Sequence, residues 1–346
     1  MKHKSAFLWM VAAVVIGALY AQTGSPANGK VEHIKVHGKA LEGNLEGDSP
    51  DRDVTVYLPP SYASDQNRRY PVIYILHGYG GNDSTWTGRI ANVPEIADRV
   101  FGSGAAKEMI VVAPSAQTVY TGSMYSNSPV TGDWEAFISQ DLVSYIDGHY
   151  RTLADRMSRG LAGHSMGGYG TVRIGMKHPE VFSSLYALSS CCLTANLNPG
   201  QNAATAEAIT TPEQARAAGR GAMTTLAESA AWSPNPKNPP LFFDLPTKDG
   251  KPQPAVIAKW AANAPLAMID QHVPNLKKYH AIAVDVGLHD TLLASNKLLD
   301  AALSQFDIAH MFETYDGDHT NHVKDRVEAK VLPFFSNQLT FQKGSK

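Results

Sequence analysis

A serine flanked by glycines, with an acid and a histidine much later in the chain, is the set of residues whose types and spacing could do chemistry. Gly163-His164-Ser165-Met166-Gly167 fits the pattern G-x-S-x-G, and Gly168 follows it. A seryl hydroxyl attacks a carbonyl only when a base takes its proton, and that base needs a carboxylate to orient it. Where a serine sits on this kind of turn, the acid follows it in the chain and the histidine comes last. Asp290, in the loop Gly287-Leu288-His289-Asp290, is the acid, with Asp285 inside the preceding strand as the alternative. His319, in Asp316-Gly317-Asp318-His319, is the base, with His322 as the alternative. His310 precedes the last strand and is expected at the opposite edge of the sheet.

Attack on a carbonyl also builds negative charge on its oxygen, which two backbone N–H groups must meet. The residue after the nucleophile, Met166, supplies one from the start of a helix, whose dipole favours an anion there. Leu76-His77-Gly78-Tyr79-Gly80-Gly81 follows an apolar strand, and its glycines let backbone approach a substrate closely. The second donor is assigned to the N–H of Tyr79.

These groups need elements to hold them. Asp53–Leu58 alternates apolar and polar before Pro59-Pro60, as expected for a strand with one buried face. The runs 72–76, 109–113, 161–162, 185–188 and 281–285 are short and apolar, which suits strands covered on both faces of a parallel sheet. Met311–Tyr315 reads as the last strand. Helical spacing links Phe137, Ile138, Leu142, Ile146 and Tyr150, and again Val323, Val327 and Val331. Strands alternating with helices predict an α/β architecture with a mostly parallel sheet. Residues 193–264 break the rhythm by turning Ala-, Pro- and Asn-rich. Within them Thr211-Pro212-Glu213-Gln214 reads as a capped helix start. This segment is expected either as a surface excursion or as a lid-like insertion that shapes a pocket.

Composition narrows the partners. The 30 Lys and Arg against 32 Asp and Glu leave no basic excess for nucleic acid. Two cysteines, the adjacent Cys191 and Cys192, build neither a disulfide scaffold nor a Cys-based zinc module, and are expected as small buried residues. His319, His322, Asp316 and Asp318 lack a third spaced ligand set, so neither metal nor cofactor is expected. Lys2, His3 and Lys4 precede a charge-free apolar run from Ala6 to Leu19, then Ala21 and a polar stretch. That is the layout of a secretory signal peptide over 1–21, too short to span a membrane. The remainder, 22–346, is expected as a single exported domain, periplasmic or secreted, with no membrane attachment after cleavage.

The motifs together resemble the esterase D-type serine esterases of the α/β-hydrolase fold, a group with feruloyl and acetyl xylan esterases, S-formylglutathione hydrolases and mycolyltransferases. The resemblance rests on Val54–Pro60, Tyr70–Gly78, Asp133-Trp134 through Tyr150-Arg151, Gly163–Gly168, Gly287–Asp290 and Gly317–His319. It implies a helix-flanked parallel sheet, a Ser165–His319–Asp290 triad and an oxyanion hole at Tyr79 and Met166. It also implies a carboxylic ester as substrate, feruloyl or acetyl and polysaccharide-linked. The alternatives are an acyltransferase of mycolyltransferase type, in which a sugar hydroxyl replaces water, and a non-catalytic binding protein on the same scaffold. Trp86 and Trp134 are candidates for an aromatic-accepting cleft, or else core packing.

Overall fold

The computed structural model describes residues 28–88, 90–195 and 200–341. The apolar run and the cleavage point at Ala21 lie outside the described residues. Eight strands form the central sheet: β1 (Lys30–His37), β2 (Asp51–Leu58), β3 (Val72–Leu76), β4 (Ile110–Pro114), β5 (Arg159–His164), β6 (Ser184–Leu188), β7 (Ala281–Gly287) and β8 (Met311–Tyr315). Their order is β1-β2-β4-β3-β5-β6-β7-β8. β2 runs antiparallel to both of its neighbours, and every pairing from β4 to β8 is parallel. This is the helix-flanked, mostly parallel sheet of the α/β-hydrolase fold.

The strands carry two cores. Along β3, Val72, Tyr74 and Leu76 join one apolar cluster, while Ile73 and Ile75 join the other. Successive side chains of a strand point to opposite faces, so a fully buried strand feeds both. The longer helices are α1 (Val93–Gly102), α2 (Leu142–His149), α3 (Met166–Lys177), α4 (Arg220–Trp232), α5 (Pro254–Asn263), α6 (Pro265–Leu276), α7 (Leu293–Gln305) and α8 (Leu332–Gln338). α1 and α8 pack on the Ile73 side; α2, α3, α6 and α7 pack on the Tyr74 side.

Two elements depart from the sequence expectation. β2 is buried on both faces over its second half, not on one. α1 lies over its outer side, where Tyr57 donates to Asp98 Oδ1 at 2.7 Å, and Thr55 donates to Asp83 Oδ2 at 2.9 Å. β1 has no counterpart in the expected strands. It is an edge strand paired only to β2, with Lys, Glu and His at most positions and only Val36 fully buried. Charge on an edge strand deters pairing with other chains, and it also erases the apolar alternation that marks a strand.

Between β6 and β7 the chain makes the excursion expected for 193–264. The Thr211 capping box is present: Gln214 N–H donates to Thr211 Oγ1, and Thr211 N–H donates to Gln214 Oε1. α4 builds a small core of its own, where Leu226, Ala227 and Ala230 meet Phe243 and Tyr120. The excursion is tied to the main body through α3. Tyr169 donates to the Asn263 carbonyl at 2.9 Å, and its ring lies 5.7 Å from that of Trp232. Beneath them Glu135 is buried against Arg173 at 2.7 Å and Lys177 at 3.0 Å. Burial alone would raise the Glu135 pKa, but the two cations hold it below the ordinary carboxylate value.

Close packing of α3 on the sheet depends on Gly167. A Cβ there would lie 2.1 Å from the Leu76 carbonyl oxygen, a backbone atom with nowhere to move. Gly167→Ala is therefore expected to cost about 3 kcal/mol or more. Gly148→Ala, whose added methyl meets nothing within 4 Å, is expected to be neutral or to gain up to about 1 kcal/mol. Thermal melts of the two variants check this; equal melting temperatures would contradict it.

Candidate functional site

Ser165, Asp290, His319 and the Tyr79 loop lie at the carboxyl ends of parallel strands, where open α/β sheets hold their ligands. β5 ends at His164, α3 begins at Met166, and Ser165 alone makes the turn between them with φ 59° and ψ −115°. A positive φ at a non-glycine residue is strained and persists only where surrounding structure enforces it. Here the enforcement is close packing around the turn. A Cβ on Gly163 would lie 2.3 Å from the Gly167 carbonyl oxygen, so only glycine permits so tight a reversal.

The histidine and the acid come from the next loops of the sheet. His319 Nε2 is 2.9 Å from Ser165 Oγ, and its Nδ1 is 2.8 Å from Asp290 Oδ2. A carboxylate can only accept, so Nδ1 carries the proton and Nε2 is free to accept from the seryl hydroxyl. The Asp290 side chain is fully buried, whereas that of His319 is 35% exposed. Burial pushes the Asp290 pKa up, but hydrogen bonds from His319 and from the Leu292 N–H, 2.9 Å away, leave it below its ordinary value. The carboxylate therefore stays ionised beside the imidazole. The Asp290 and His319 loops interlock: His289 N–H donates to the Gly317 carbonyl at 2.9 Å, and a Cβ on Gly287 would meet that same oxygen at 2.3 Å.

Two histidines that sequence reasoning left without a role hold this arrangement in place. His164 Nε2 lies 2.7 Å from the His319 carbonyl oxygen. Burial, helped by the nearby His319, lowers the His164 pKa to about 4, so its ring is neutral. Nε2–H donates, because a carbonyl only accepts, and the residue before Ser165 thereby fixes the backbone of His319. His77 is also buried, with its pKa lowered to about 4. Its Nε2 accepts from Ala116 N–H at 2.8 Å, which leaves Nδ1–H to donate to the Gly78 carbonyl at 2.8 Å.

That bond pins the loop carrying Tyr79. The Tyr79 hydroxyl donates to the Tyr120 carbonyl at 2.8 Å, and Gly81 N–H donates to Gly78 at 3.0 Å. The backbone at Gly78 passes beside Ser165, since a Cβ there would lie 3.3 Å from Ser165 Cβ. Tyr79 and Met166 both close on Gly122, where a Cβ would sit 2.6 Å from the Tyr79 ring and 2.9 Å from Met166 Sδ. Met166 is the first residue of α3, so its N–H has no acceptor within the helix.

A cleft of about 130 Å³ opens over these groups, with Tyr79, Trp86, His164, Ser165, Arg220 and His319 among its lining residues. Trp86 thus stands at the site. Trp134 does not: it is buried in the core, donates to the Thr131 carbonyl at 2.7 Å, and lies under Arg52 and against Phe137. Asp285, the alternative acid, is buried on the far side of the sheet, bonded to Arg326 at 2.8 Å and to Tyr186 at 2.9 Å. His322, the alternative base, is on the surface, 2.7 Å from Asp325. His310 pairs with Asp300 before β8, at the other end of the strand. Cys191 and Cys192 are unbridged, and partly rather than fully buried.

The Esterase family model matches residues 49–331. The endo-1,4-beta-xylanase/feruloyl esterase of Xylanibacter ruminicola is 32% identical over 151 residues, which are 42% of this chain and 21% of that protein. Esterase MT1326 of Mycobacterium tuberculosis is 35% identical over 136 residues, 38% of this chain and 27% of its own length. The chain thus spans about a quarter of the length of these curated relatives. A solved ferulic acid esterase superposes with a TM-score of 0.67 at 23% identity, covering 90% of this chain and all of the other.

The two neutral histidines give the fold a pH signature. A histidine whose folded pKa lies below its unfolded value near 6.5 contributes stability that is present above pH 6.5 and is lost as pH falls towards 4. The melting temperature is expected to drop through that interval, and to drop less in His77→Gln. An equal drop in the variant would contradict the neutral-ring assignment.

Proposed function

This chain belongs to the Esterase family, and on that premise we propose that it hydrolyses carboxylic esters through a covalent acyl-enzyme. The observation that carries the proposal is the single imidazole within hydrogen-bond reach of both Ser165 Oγ and Asp290 Oδ2. Ser165 Oγ attacks the carbonyl carbon as His319 Nε2 takes its proton. Asp290 stabilises the resulting imidazolium and keeps its ring oriented. The N–H groups of Tyr79 and Met166 hold the tetrahedral oxyanion. When the tetrahedral intermediate collapses, the bond to the alcohol oxygen breaks and His319 returns the proton to it. Water then repeats the sequence, giving its proton to His319 and its oxygen to the acyl carbon, and the acid leaves with Ser165 restored. Every proton and electron pair is accounted for by these groups, substrate and water.

The substrate we propose is a feruloyl or acetyl ester on a polysaccharide, met outside the cytoplasm after removal of 1–21. A relative named as a xylanase and feruloyl esterase supports that class. Residues 193–264 act as a lid-like insertion over one domain, since α4 brings Arg220 to the cleft beside Ser165. Trp86 gives the cleft an apolar wall for the substrate. No nucleic acid or membrane partner enters this scheme. Among the described residues no helix is long and apolar enough to cross a membrane.

Turnover of p-nitrophenyl acetate and labelling by a fluorophosphonate test the assignment. Ser165→Ala is expected to lose the label and about 10³-fold or more in kcat. Asp290→Asn is expected to keep the fold and also lose about 10³-fold or more, because His319 then adopts the wrong tautomer. Turnover equal to wild type in Ser165→Ala would overturn the reading.

A further inference from the structure

The cleft that holds Ser165 carries a single permanent charge on its walls. Among the described lining residues Arg220 is the lone arginine, and no lysine, aspartate or glutamate joins it. Asp290 does not line the cleft: its carboxylate is fully buried, on the far side of the His319 ring from Ser165. An anion entering the cleft therefore meets a cation and no exposed acid.

The Arg220 guanidinium has no carboxylate, carbonyl or aromatic partner among the described residues. Every other described arginine has one: Arg52, Arg69, Arg151 and Arg156 donate to backbone carbonyls. Arg68, Arg99, Arg159, Arg173 and Arg326 pair with acids, and even the exposed Arg216 lies 3.7 Å from Glu213. The backbone beneath Arg220 is nevertheless anchored. It is the first residue of α4, and its carbonyl accepts from Thr224 Oγ1 at 2.9 Å. Gly219 before it offers no capping side chain and the first turn of α4 holds no acid, so the helix dipole adds to the positive potential. The charge is felt inside the site: burial raises the Tyr79 pKa, and Arg220 is among the groups that oppose that rise.

We propose that Arg220 is a specificity-determining residue that pairs with a carboxylate on the substrate, so that the enzyme prefers esters bearing a negative charge. This rests on the acyl-enzyme reading above and deepens it. A guanidinium presents its donors as a planar fork that fits a carboxylate two bonds at a time. One cation with no second beside it matches a singly charged carboxylate rather than a phosphate dianion. Trp86 lines the same cleft, so the pair forms beside an apolar wall rather than in open water. The carboxylate can belong to the alcohol half, as on an acidic polysaccharide, or to the acyl half, as in the monoester of a dicarboxylic acid. Both sources use the same contact, and matched substrates separate them.

For the alcohol half the pair is 4-acetoxybenzoate against 4-acetoxybenzamide; for the acyl half it is monomethyl adipate against the methyl ester of adipic monoamide. In each pair a carboxylate is exchanged for a neutral amide of similar size. After correction for each ester's hydroxide rate, wild type is expected to favour the carboxylate member of one pair about fivefold or more in kcat/KM. The pair that shows the preference identifies the half that carries the charge. Raising salt from about 20 mM to about 500 mM is expected to shrink the preference, since an exposed charge is screened. Arg220→Gln is expected to bring the ratio to parity and Arg220→Glu to invert it, both with the wild-type melting temperature. Arg220→Lys, which keeps the charge but not the fork, is expected to retain part of it. Calorimetric binding of the four esters to Ser165→Ala protein reads the same preference without turnover. A charge preference in binding without hydrolysis by wild type would sustain the role of Arg220 and sink the acyl-enzyme reading. Hydrolysis of both pairs at parity, or a preference unchanged in Arg220→Gln and Arg220→Glu, would overturn the proposal and leave that reading standing.

Discussion

Everything at this site depends on a single sharp reversal of the backbone at Ser165. The seryl oxygen stands clear of the sheet only because φ is positive there, and the reversal fits only because Gly163 and Gly167 lack side chains. Each of those glycines touches backbone where a methyl would collide, Gly163 against Gly167 and Gly167 against the end of β3. The same contact that tightens the turn seats α3 on the sheet. It therefore brings the Met166 N–H and the loop after β3 to the same place. Strain at one residue is offset by the packing of a helix and two strands around it.

The histidine is held by more than its carboxylate. His164, the residue before Ser165, grips its carbonyl, Asp290 grips Nδ1, and the loops carrying Asp290 and His319 lock through Gly287 and Gly317. His77 performs a parallel task for the Tyr79 loop by bridging Ala116 and Gly78. Both supporting rings are neutral because they are buried, and their neutrality fixes which nitrogen donates. Burial also separates the acids into distinct roles. Asp290 is kept ionised by its donors, and Asp285 is paired with Arg326 in the core.

Much of this was legible in the sequence, for a physical reason. Ser165, Asp290 and His319 each sit where a short apolar strand gives way to a Gly-rich turn, a local signal that survives without knowledge of the fold. Parallel strands place such turns at one edge, so the three converge. The Thr211 cap was legible for the same reason, since all its partners lie within a few residues. What could not be read were features set by distant partners. His164 acquires its role from a carbonyl 155 residues away. Trp134 is core because the distant Arg52 lies over its ring, beside its near neighbours Thr131 and Phe137. β1 is hidden by its edge position, whose lysines and histidines mask the alternation.

The central claim is that one imidazole is wedged between hydroxyl and carboxylate in a defined protonation pattern. Nitrogen NMR of protein with labelled histidine reads that pattern atom by atom. With the ring neutral, His319 is predicted to carry its proton on Nδ1, bonded to Asp290, and to present an unprotonated Nε2 to Ser165; Asp290→Ala should remove the preference. A proton resident on Nε2 in the neutral wild-type ring, or a pattern indifferent to Asp290→Ala, would contradict the account.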